Sequence, residues 1–254
     1  MGELLYEVRE GAARLTLNRE AQRNALSAEL LGLLEEALDR AEADAEVRAV
    51  CLTGAGDKAF CSGADLGSGP DGALLGARRY AGLLRRLRRY PKPLVARLNG
   101  HCLAGGMGLM LACDIVYARD GIKLGTPEAR VGLFPLMIGA LIHRNARRKR
   151  ALEMMLTAEP VTAREAEAMG LVTRVYPGAA ELDAAVDKTL AAIRLNAPLA
   201  LSVGRRAMVE AEELGFDEAV EHLCGKLHEL LGTEDAAEGL SAFVEKRPPR
   251  WTGR

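Results

Sequence analysis

The stretch at residues 99–109 most constrains the fold, because it places four glycines between two apolar runs. Residues 93–98 before it have the composition of a short strand, and residues 109–112 after it continue as an apolar helix. Glycines let a backbone come close to a ligand, and a helix start offers unpaired N–H groups with a partial positive charge. The turn therefore suits an anion, or an oxygen that becomes anionic in a reaction. Tight helix–sheet packing explains the same glycines equally well.

The glycine spacing and the composition narrow the kind of ligand. Residues 105–108, GGMG, lack the Gly-x-Gly-x-x-Gly pattern of dinucleotide sites, and no Gly-Lys-Ser/Thr follows as in a phosphate loop. The chain has 34 basic and 35 acidic residues, and aromatic residues make up 4% of it. Neither property favours a nucleic-acid partner. Arginine clusters at 78–89 and 144–150 leave open a solvated face, a phosphate-bearing ligand or RNA.

Cysteine and histidine usage predicts no disulfide framework and no metal site. The five cysteines form no Cys-x-x-Cys pair, and their odd number fits free thiols in a reducing compartment. The four histidines show no metalloprotease spacing. The N-terminus lacks a basic region followed by a long apolar run, and no stretch approaches a membrane span. We therefore expect a soluble, cytoplasmic protein with no membrane partner.

The order of periodic segments predicts an α/β fold with a parallel sheet. Residues 4–9 and 13–17 have the pattern of a hairpin, and Ser27 has the position of an N-cap for a helix that reaches residue 43. Residues 47–53 follow as a nearly continuous apolar strand. A strand–helix–strand order of this kind needs parallel strands with helices packed on them.

Two further segments are candidates for chemistry. Another glycine-rich loop, at 54–66, begins at the carboxyl end of the 47–53 strand, where open α/β sheets place ligands. It is the first of the two loops along the chain, and the stretch at 99–109 is the second. Residues 67–76 after the first loop also have the composition of a loop. Thr126-Pro127-Glu128 has the form of a helix start, with Thr126 as N-cap. Glu128 there either complements the helix dipole or carries chemistry.

Five motifs together resemble the crotonase family of enoyl-CoA hydratases and isomerases, over essentially the whole chain. They are RNALS at 23–27, AFCSGAD at 59–65, NGHCLAGG at 99–106, GTPE at 125–128 and LSAFVEKR at 240–247. The resemblance implies an α/β fold, a spiral of ββα turns, with residues 1–195 as its core. It also implies that the helical region at 196–254 builds homotrimers, often stacked as a dimer of trimers into hexamers.

The resemblance implies a site for an acyl-CoA thioester in fatty-acid breakdown. The backbone N–H groups of Ala64 and Gly105 would converge on the thioester oxygen and stabilise an enolate, and Glu128 would be the base. An apolar pocket raises a carboxyl pKa toward the range useful for a base, and Leu133, Phe134 and Met137 are candidates for its wall.

The resemblance also implies where coenzyme A lies, as part of the substrate and not as a permanently bound cofactor. The candidates are the backbone around Arg23 and Ala25, residues Asp65 and Leu66, and two residues of a neighbouring subunit. Those two are Phe243 and Lys246, the latter with an ammonium group suited to a phosphate.

One departure from the family pattern bears on the reaction. Hydratases of the family carry a second glutamate where this chain has Gly108, and Leu136 stands where dienoyl-CoA isomerases have a further acid. Moving a double bond needs one carboxylate, whereas adding water usually uses two. A Δ3-to-Δ2 enoyl-CoA isomerase is therefore favoured over a hydratase. A non-catalytic acyl-CoA-binding homologue is the third alternative, and retention of Glu128 counts against it.

Two polar residues near the loops have more ordinary interpretations than catalysis. Asp65 follows the first amide donor in a turn, where aspartate commonly caps backbone groups. His101 lies in the second loop, where it is expected to shape the pocket and not to transfer protons.

Overall fold

The computed structural model describes residues 2–64 and 69–254. Strands and helices are numbered in chain order, and most of the strands belong to one six-stranded sheet. Its strands, in spatial order, are β1 (Leu4–Arg9), β2 (Ala12–Leu17), β3 (Ala49–Gly54), β5 (Leu94–Leu98), β7 (Ile115–Arg119) and β10 (Arg174–Tyr176). Within this sheet, β1 pairs antiparallel with β2, as the predicted hairpin, and the other neighbours are parallel. The predicted parallel α/β sheet is thus confirmed.

A second, smaller sheet runs beside the first. It contains, in spatial order, β4 (Ala59–Cys61), β6 (His101–Leu103), β8 (Lys123–Gly125) and β9 (Val161–Thr162). The first three are parallel, and β8 pairs antiparallel with β9. The strands of this sheet are short, so their ends lie close to one another.

Ten α-helices occur within the described residues. They are α1 (Ala28–Ala43), α2 (Gly69–Arg88), α3 (Gly105–Leu111), α4 (Leu136–Asn145), α5 (Arg148–Thr157), α6 (Ala163–Met169), α7 (Ala179–Arg194), α8 (Pro198–Ala211), α9 (Phe216–Leu231) and α10 (Glu234–Glu245). The chain repeats one pattern three times: a strand in the large sheet, a strand in the small sheet, then a helix. The repeats are β3-β4-α2, β5-β6-α3 and β7-β8-α4, which are the expected ββα turns.

Local sequence signals account for several of these boundaries. The Ser27 hydroxyl accepts a hydrogen bond from Leu30 N at 2.9 Å, as predicted for the N-cap of α1. Thr162 and Glu165 form a capping box at the start of α6. The buried face of α1 packs its leucines into the main core with the apolar residues of β2 and β3. This burial holds α1 against one face of the large sheet.

The structure corrects two predictions of local structure. The predicted loop at 67–76 is helical from Gly69 onward, because proline and aspartate are as compatible with the first turn of a helix as with a loop. The helix after Thr126 is a short 3₁₀ helix, Pro127–Val131, and Thr126 makes no side-chain cap. At φ −124° and ψ 84°, the Thr126 backbone lacks N-cap geometry.

The arginines of α2 form ion pairs with neighbouring helices. Arg79 contacts Glu35 at 2.7 Å, and Arg88 contacts Glu212 at 2.6 Å. A solvated, ion-paired face, one of the three interpretations of this cluster, therefore describes Arg79 and Arg88. No helix in the described part of the chain is both long and apolar enough to cross a membrane. The division into 1–195 and 196–254 stays a prediction.

Candidate active site

The three predicted catalytic positions follow three neighbouring parallel strands. Ala64 comes after β4, Gly105 after β6, and Glu128 after β8. Because β4, β6 and β8 are adjacent and parallel, their carboxyl ends meet at one edge of the small sheet. The fold thereby brings together residues that are far apart in sequence.

The two loops that carry Ala64 and Gly105 touch each other. A Cβ atom on Gly105 would lie 3.6 Å from Ala64 N, and one on Gly63 would lie 3.2 Å from Gly105 N. Leu26 N donates to the Gly63 carbonyl at 2.8 Å, which holds the first loop from its other side. The two amides predicted to grip one oxygen are therefore neighbours in space.

The turn into α3 has an unusual backbone. Ala104 adopts φ +48° and ψ −124°, a conformation that L residues rarely take. Its N–H donates to the Gly125 carbonyl at 2.9 Å, and a Cβ on Gly106 would lie 2.5 Å from the Cys61 carbonyl oxygen. Strain of this kind persists where the surroundings determine the backbone, and such places are often functional. The peptide plane that contains the Gly105 N–H follows the ψ angle of Ala104 directly.

Glu128 lies half-buried in the 3₁₀ helix, and one of its carboxylate oxygens is fully buried. This Oε2 atom has no hydrogen-bond partner among the described residues, and neither has the buried Thr126 Oγ1. Burial raises the pKa of Glu128 above its ordinary value, against a smaller lowering by its own backbone N–H. Buried groups without partners and carboxyls with raised pKa values mark candidate functional sites.

The predicted apolar wall of Glu128 is more open than expected. Leu133, Phe134 and Met137 are 56%, 41% and 41% exposed in the single chain. Leu133 N donates to the Glu128 carbonyl at 3.0 Å, so this segment follows the glutamate closely. These three side chains therefore form an exposed apolar segment that follows Glu128 closely in the chain.

The segment predicted to hold coenzyme A lies against the first loop. The Arg23 carbonyl accepts from Ser62 N at 3.1 Å, and Arg23 and Asn24 both have positive φ angles, of 52° and 56°. The Asn24 amide is buried and donates to the Ala59 carbonyl at 2.8 Å. The Ala25 carbonyl accepts from Arg19 at 2.6 Å, so it is already engaged. Asp65 and Leu66 lie outside the described residues.

The other predicted coenzyme A residues lie at the end of α10. Phe243 is 85% exposed, and Lys246 follows the helix with φ +55°. Both residues are predicted to reach the coenzyme A site of a neighbouring subunit, so a single chain does not show this contact. For these two residues the role stays a prediction.

The remaining candidates have structural explanations. His101 Nδ1 accepts from Lys123 N at 2.9 Å, so this ring joins β6 to β8. Cys61 and Cys102 are buried, and burial raises the pKa of the Cys61 thiol to about 12, which makes it a poor nucleophile. Across residues 2–64 and 69–254, no cluster of three or more histidine, cysteine or acidic residues is placed to hold a metal ion.

One side chain at the site was missed from the sequence. The Tyr80 hydroxyl, from α2, donates to the Gly105 carbonyl. A Cβ on Gly108 would overlap that hydroxyl and lie 2.6 Å from Ile138 Cγ2. A signal for Tyr80 was present, since it shares the buried stripe of α2 with Leu83, Leu84 and Leu87. A tyrosine on such a stripe brings a hydroxyl into the core, and that hydroxyl needs a partner.

Comparisons with known proteins agree with this architecture. Residues 7–254 match the family described as enoyl-CoA hydratase/isomerase. The chain is 34% identical to the 2,3-dehydroadipyl-CoA hydratase of Escherichia coli, over 100% of both chains. It is 31% identical to the short-chain-enoyl-CoA hydratase of Clostridium acetobutylicum, over 97% of this chain and 96% of the relative. The crystal structure of enoyl-CoA hydratase from Bacillus anthracis superposes with a TM-score of 0.95 at 31% identity, covering 99% of this chain and 100% of that one.

The fold and the matched sequences define the class: an enzyme with the crotonase fold. The chain belongs to the enoyl-CoA hydratase/isomerase family, as the sequence motifs indicated.

Proposed function

We propose that this enzyme moves the double bond of 3-enoyl-CoA thioesters to give 2-enoyl-CoA. One observation supports the proposal: Glu128, with one buried and unpartnered carboxylate oxygen, follows the same sheet edge as the neighbouring amides of Ala64 and Gly105, while the space at position 108 is filled. Tyr80 and Ile138 occupy the space that a side chain at position 108 would need. Leu136, the other position considered for a further acid, is 76% exposed and apolar.

The proposed reaction needs a single group that both takes and returns a proton. Glu128 removes a proton from C2, and the electron pair moves through the C–C bond onto the thioester oxygen as a dienolate. The N–H groups of Ala64 and Gly105 stabilise that oxygen while it is negative. Glu128 then returns the proton to C4 as the double bond forms between C2 and C3. Atoms and charge balance without water or a redox cofactor.

Hydration of 2-enoyl-CoA is the second candidate, and the names of the relatives favour it. The Escherichia coli and Clostridium acetobutylicum relatives are both named as hydratases. Hydration requires that one group activate water while another supplies a proton to carbon, roles that two carboxylates usually share. Because neither Gly108 nor Leu136 supplies a second carboxylate, we place isomerisation first. A non-catalytic acyl-CoA-binding protein comes third. Such a protein does not need a partly buried base, and this chain has one in Glu128.

The substrate brings its coenzyme A with it, and we assign its binding to the residues around the first loop. The backbone at Arg23 and Ala25, together with Asp65 and Leu66, would lie along the coenzyme. Phe243 and Lys246 of a neighbouring subunit would complete the site, with the lysine ammonium paired to a phosphate. No resident cofactor is part of the proposal.

A direct assay separates the candidate functions. The purified protein is incubated separately with 3-enoyl-CoA and 2-enoyl-CoA, and products are identified by chromatography and mass. We expect rapid conversion of 3-enoyl-CoA into 2-enoyl-CoA with little addition of water. Rapid formation of 3-hydroxyacyl-CoA from 2-enoyl-CoA would instead assign a hydratase. Binding of either ester without turnover would assign the non-catalytic alternative.

The pH dependence of kcat/KM is expected to report the buried carboxyl. A base must be deprotonated, so activity should rise with pH through the pKa of Glu128, which burial places above the ordinary 4.5. Initial rates in a buffer series of constant ionic strength measure how kcat/KM rises with pH. Activity that remains constant down into the ordinary carboxyl range would contradict Glu128 as the base.

The C-terminal helices present an apolar surface that we assign to a homotrimer, alone or stacked as a hexamer. The side chains involved are large, apolar and exposed on α9 and α10: Phe216, Val220, Leu227, Leu231, Leu240, Phe243 and Val244. Exposed apolar area on this scale is typical of an interaction surface. A trimer would also bring Phe243 and Lys246 to a neighbour's site.

Replacing Phe243 with Asp is expected to shift the protein toward smaller species and to raise KM for the acyl-CoA. A charge at a buried contact is costly, and the neighbour's site loses one wall. Light scattering after size-exclusion chromatography measures the mass. Val8→Asp, an exposed apolar position on β1, is the control. An unchanged mass in Phe243→Asp would contradict this interface.

A further inference from the structure

We propose that Tyr80 is a positioning residue that holds the Gly105 amide in the direction needed to bind the thioester oxygen. The inference rests on the proposed function only in that Ala64 and Gly105 bind this oxygen. It adds a residue from a different ββα turn, 25 positions away in sequence, which none of the motifs contains.

The contact lies at the first turn of α3. The Tyr80 hydroxyl donates to the Gly105 carbonyl, and the Leu109 N–H faces the same hydroxyl oxygen. Gly105 and Leu109 are four residues apart, so their carbonyl and amide are the pair that closes the first turn of a regular α-helix. The hydroxyl therefore contacts both ends of that turn.

The backbone here has little stiffness of its own. Gly105 and Gly106 are consecutive, and glycine explores more conformations than any other residue. Ala104, just before them, is in a strained conformation at φ +48°. A fixed partner for the Gly105 carbonyl restricts rotation about the backbone bonds of Gly105. The N–H of Gly105 is thereby held in one direction.

Burial of Tyr80 keeps its hydroxyl protonated and able to donate a hydrogen bond. The residue is 7% exposed, and burial raises the pKa of its hydroxyl well above 10, with the charge of Glu128 adding to the effect. The hydroxyl therefore remains a protonated donor at neutral pH. Gly108 leaves open the space that the hydroxyl occupies, since any Cβ there would overlap it.

Tyr80→Phe tests the inference, and Tyr90→Phe is its matched control. Tyr90 is also buried, and its hydroxyl also donates to a carbonyl, that of Leu38 at 2.7 Å, within the main core. We expect Tyr80→Phe to lower kcat about 10- to 100-fold with KM changed less than about twofold, since a mispositioned amide donor weakens transition-state binding. We expect Tyr90→Phe to keep wild-type kcat, while both variants lose similar thermal stability. Equal kcat values in the two variants would overturn the inference.

A spectroscopic measurement makes the test independent of which reaction the enzyme catalyses. The infrared stretch of a ¹³C-labelled thioester carbonyl in bound butyryl-CoA, which cannot react, is expected to shift to lower frequency in the wild type. The shift should be smaller in Tyr80→Phe and unchanged in Tyr90→Phe. No shift in the wild type would contradict the proposed oxygen site itself. A full shift in Tyr80→Phe would overturn only the role of Tyr80.

Gly108→Ala provides a second perturbation of the same contact. Its methyl group would displace the Tyr80 hydroxyl, so we expect a similar fall in kcat. Because both changes remove one interaction, the double variant Gly108→Ala/Tyr80→Phe should lose little more than either single variant. Additive losses would show that the two residues act separately and would overturn the inference.

Discussion

Replacing Glu128 with Gln is expected to lower kcat for isomerisation about 10⁴-fold, near the upper end of what general acid–base catalysis supplies. The amide has nearly the shape of the carboxylate but cannot accept the C2 proton or return it at C4. Since this one group performs both transfers in the proposed mechanism, the variant is expected to have no second route. Steady-state rates with 3-enoyl-CoA, supported by single-turnover measurements, quantify the loss.

The same substitution should not lower stability, which distinguishes a functional glutamate from a structural one. Burial raises the pKa of Glu128 in the folded state, so the wild type loses stability as pH rises from the ordinary carboxyl value through the raised one. The Gln variant has no such loss. At neutral pH it should therefore unfold at the same temperature as the wild type or a higher one.

Glu153→Gln is the matched control for this experiment. Glu153 is an exposed glutamate on α5, paired with Arg150 at 3.1 Å, and it should retain wild-type activity when changed. A Glu128→Gln enzyme that keeps substantial activity would rule out the one-carboxylate mechanism.

Replacing Gly63 with Ala is expected to lower kcat/KM about 10²- to 10³-fold, the effect of losing one oxyanion donor. The new Cβ would lie 2.6 Å from Ala104 Cβ and 3.2 Å from Gly105 N, so the two loops must separate. Gly63 also has φ +106°, which costs an alanine about 1–3 kcal/mol of strain. Kinetics with 3-enoyl-CoA and denaturant unfolding measure the two effects separately.

Gly121→Ala is a control that separates backbone strain from the steric contact between the two loops. Gly121 has a positive φ of 77° as well, but a Cβ there would meet nothing within 4 Å. It should lose stability and keep its activity. If Gly63→Ala were equally active, close approach of the two loops would not be required for the reaction.

Much of the fold followed from short-range signals in the sequence. The hairpin of β1 and β2, the Ser27 cap and the Thr162–Glu165 capping box all depend on neighbouring residues, and all are confirmed. The Thr126 cap failed because the backbone leaves β8 in a conformation set by tertiary packing. Pro160 crowds the adjacent Gly125, where a Cβ would lie 2.9 Å from Pro160 Cα. Local pattern alone carries no information on such a contact.

The candidate site was less predictable than the fold. The meeting of Ala64 and Gly105 was expected only from the family resemblance, and its physical cause, three adjacent parallel strand ends, appears in the sheet order. Tyr80 and Ile138 were not predicted as neighbours of Gly108. They come from α2 and α4, and only the packing of these helices against α3 determines which side chains fill that space.

The winding of the chain gives each part of the site its own segment. One ββα repeat supplies Ala64, the next supplies Gly105, and the third supplies Glu128. Insertions in the connections of one repeat can therefore reshape the proposed substrate site without changing the sequence of the other two. Such modularity lets selection alter the acyl group accepted, or add and remove a proton donor, while the two amides proposed to bind the thioester stay constant.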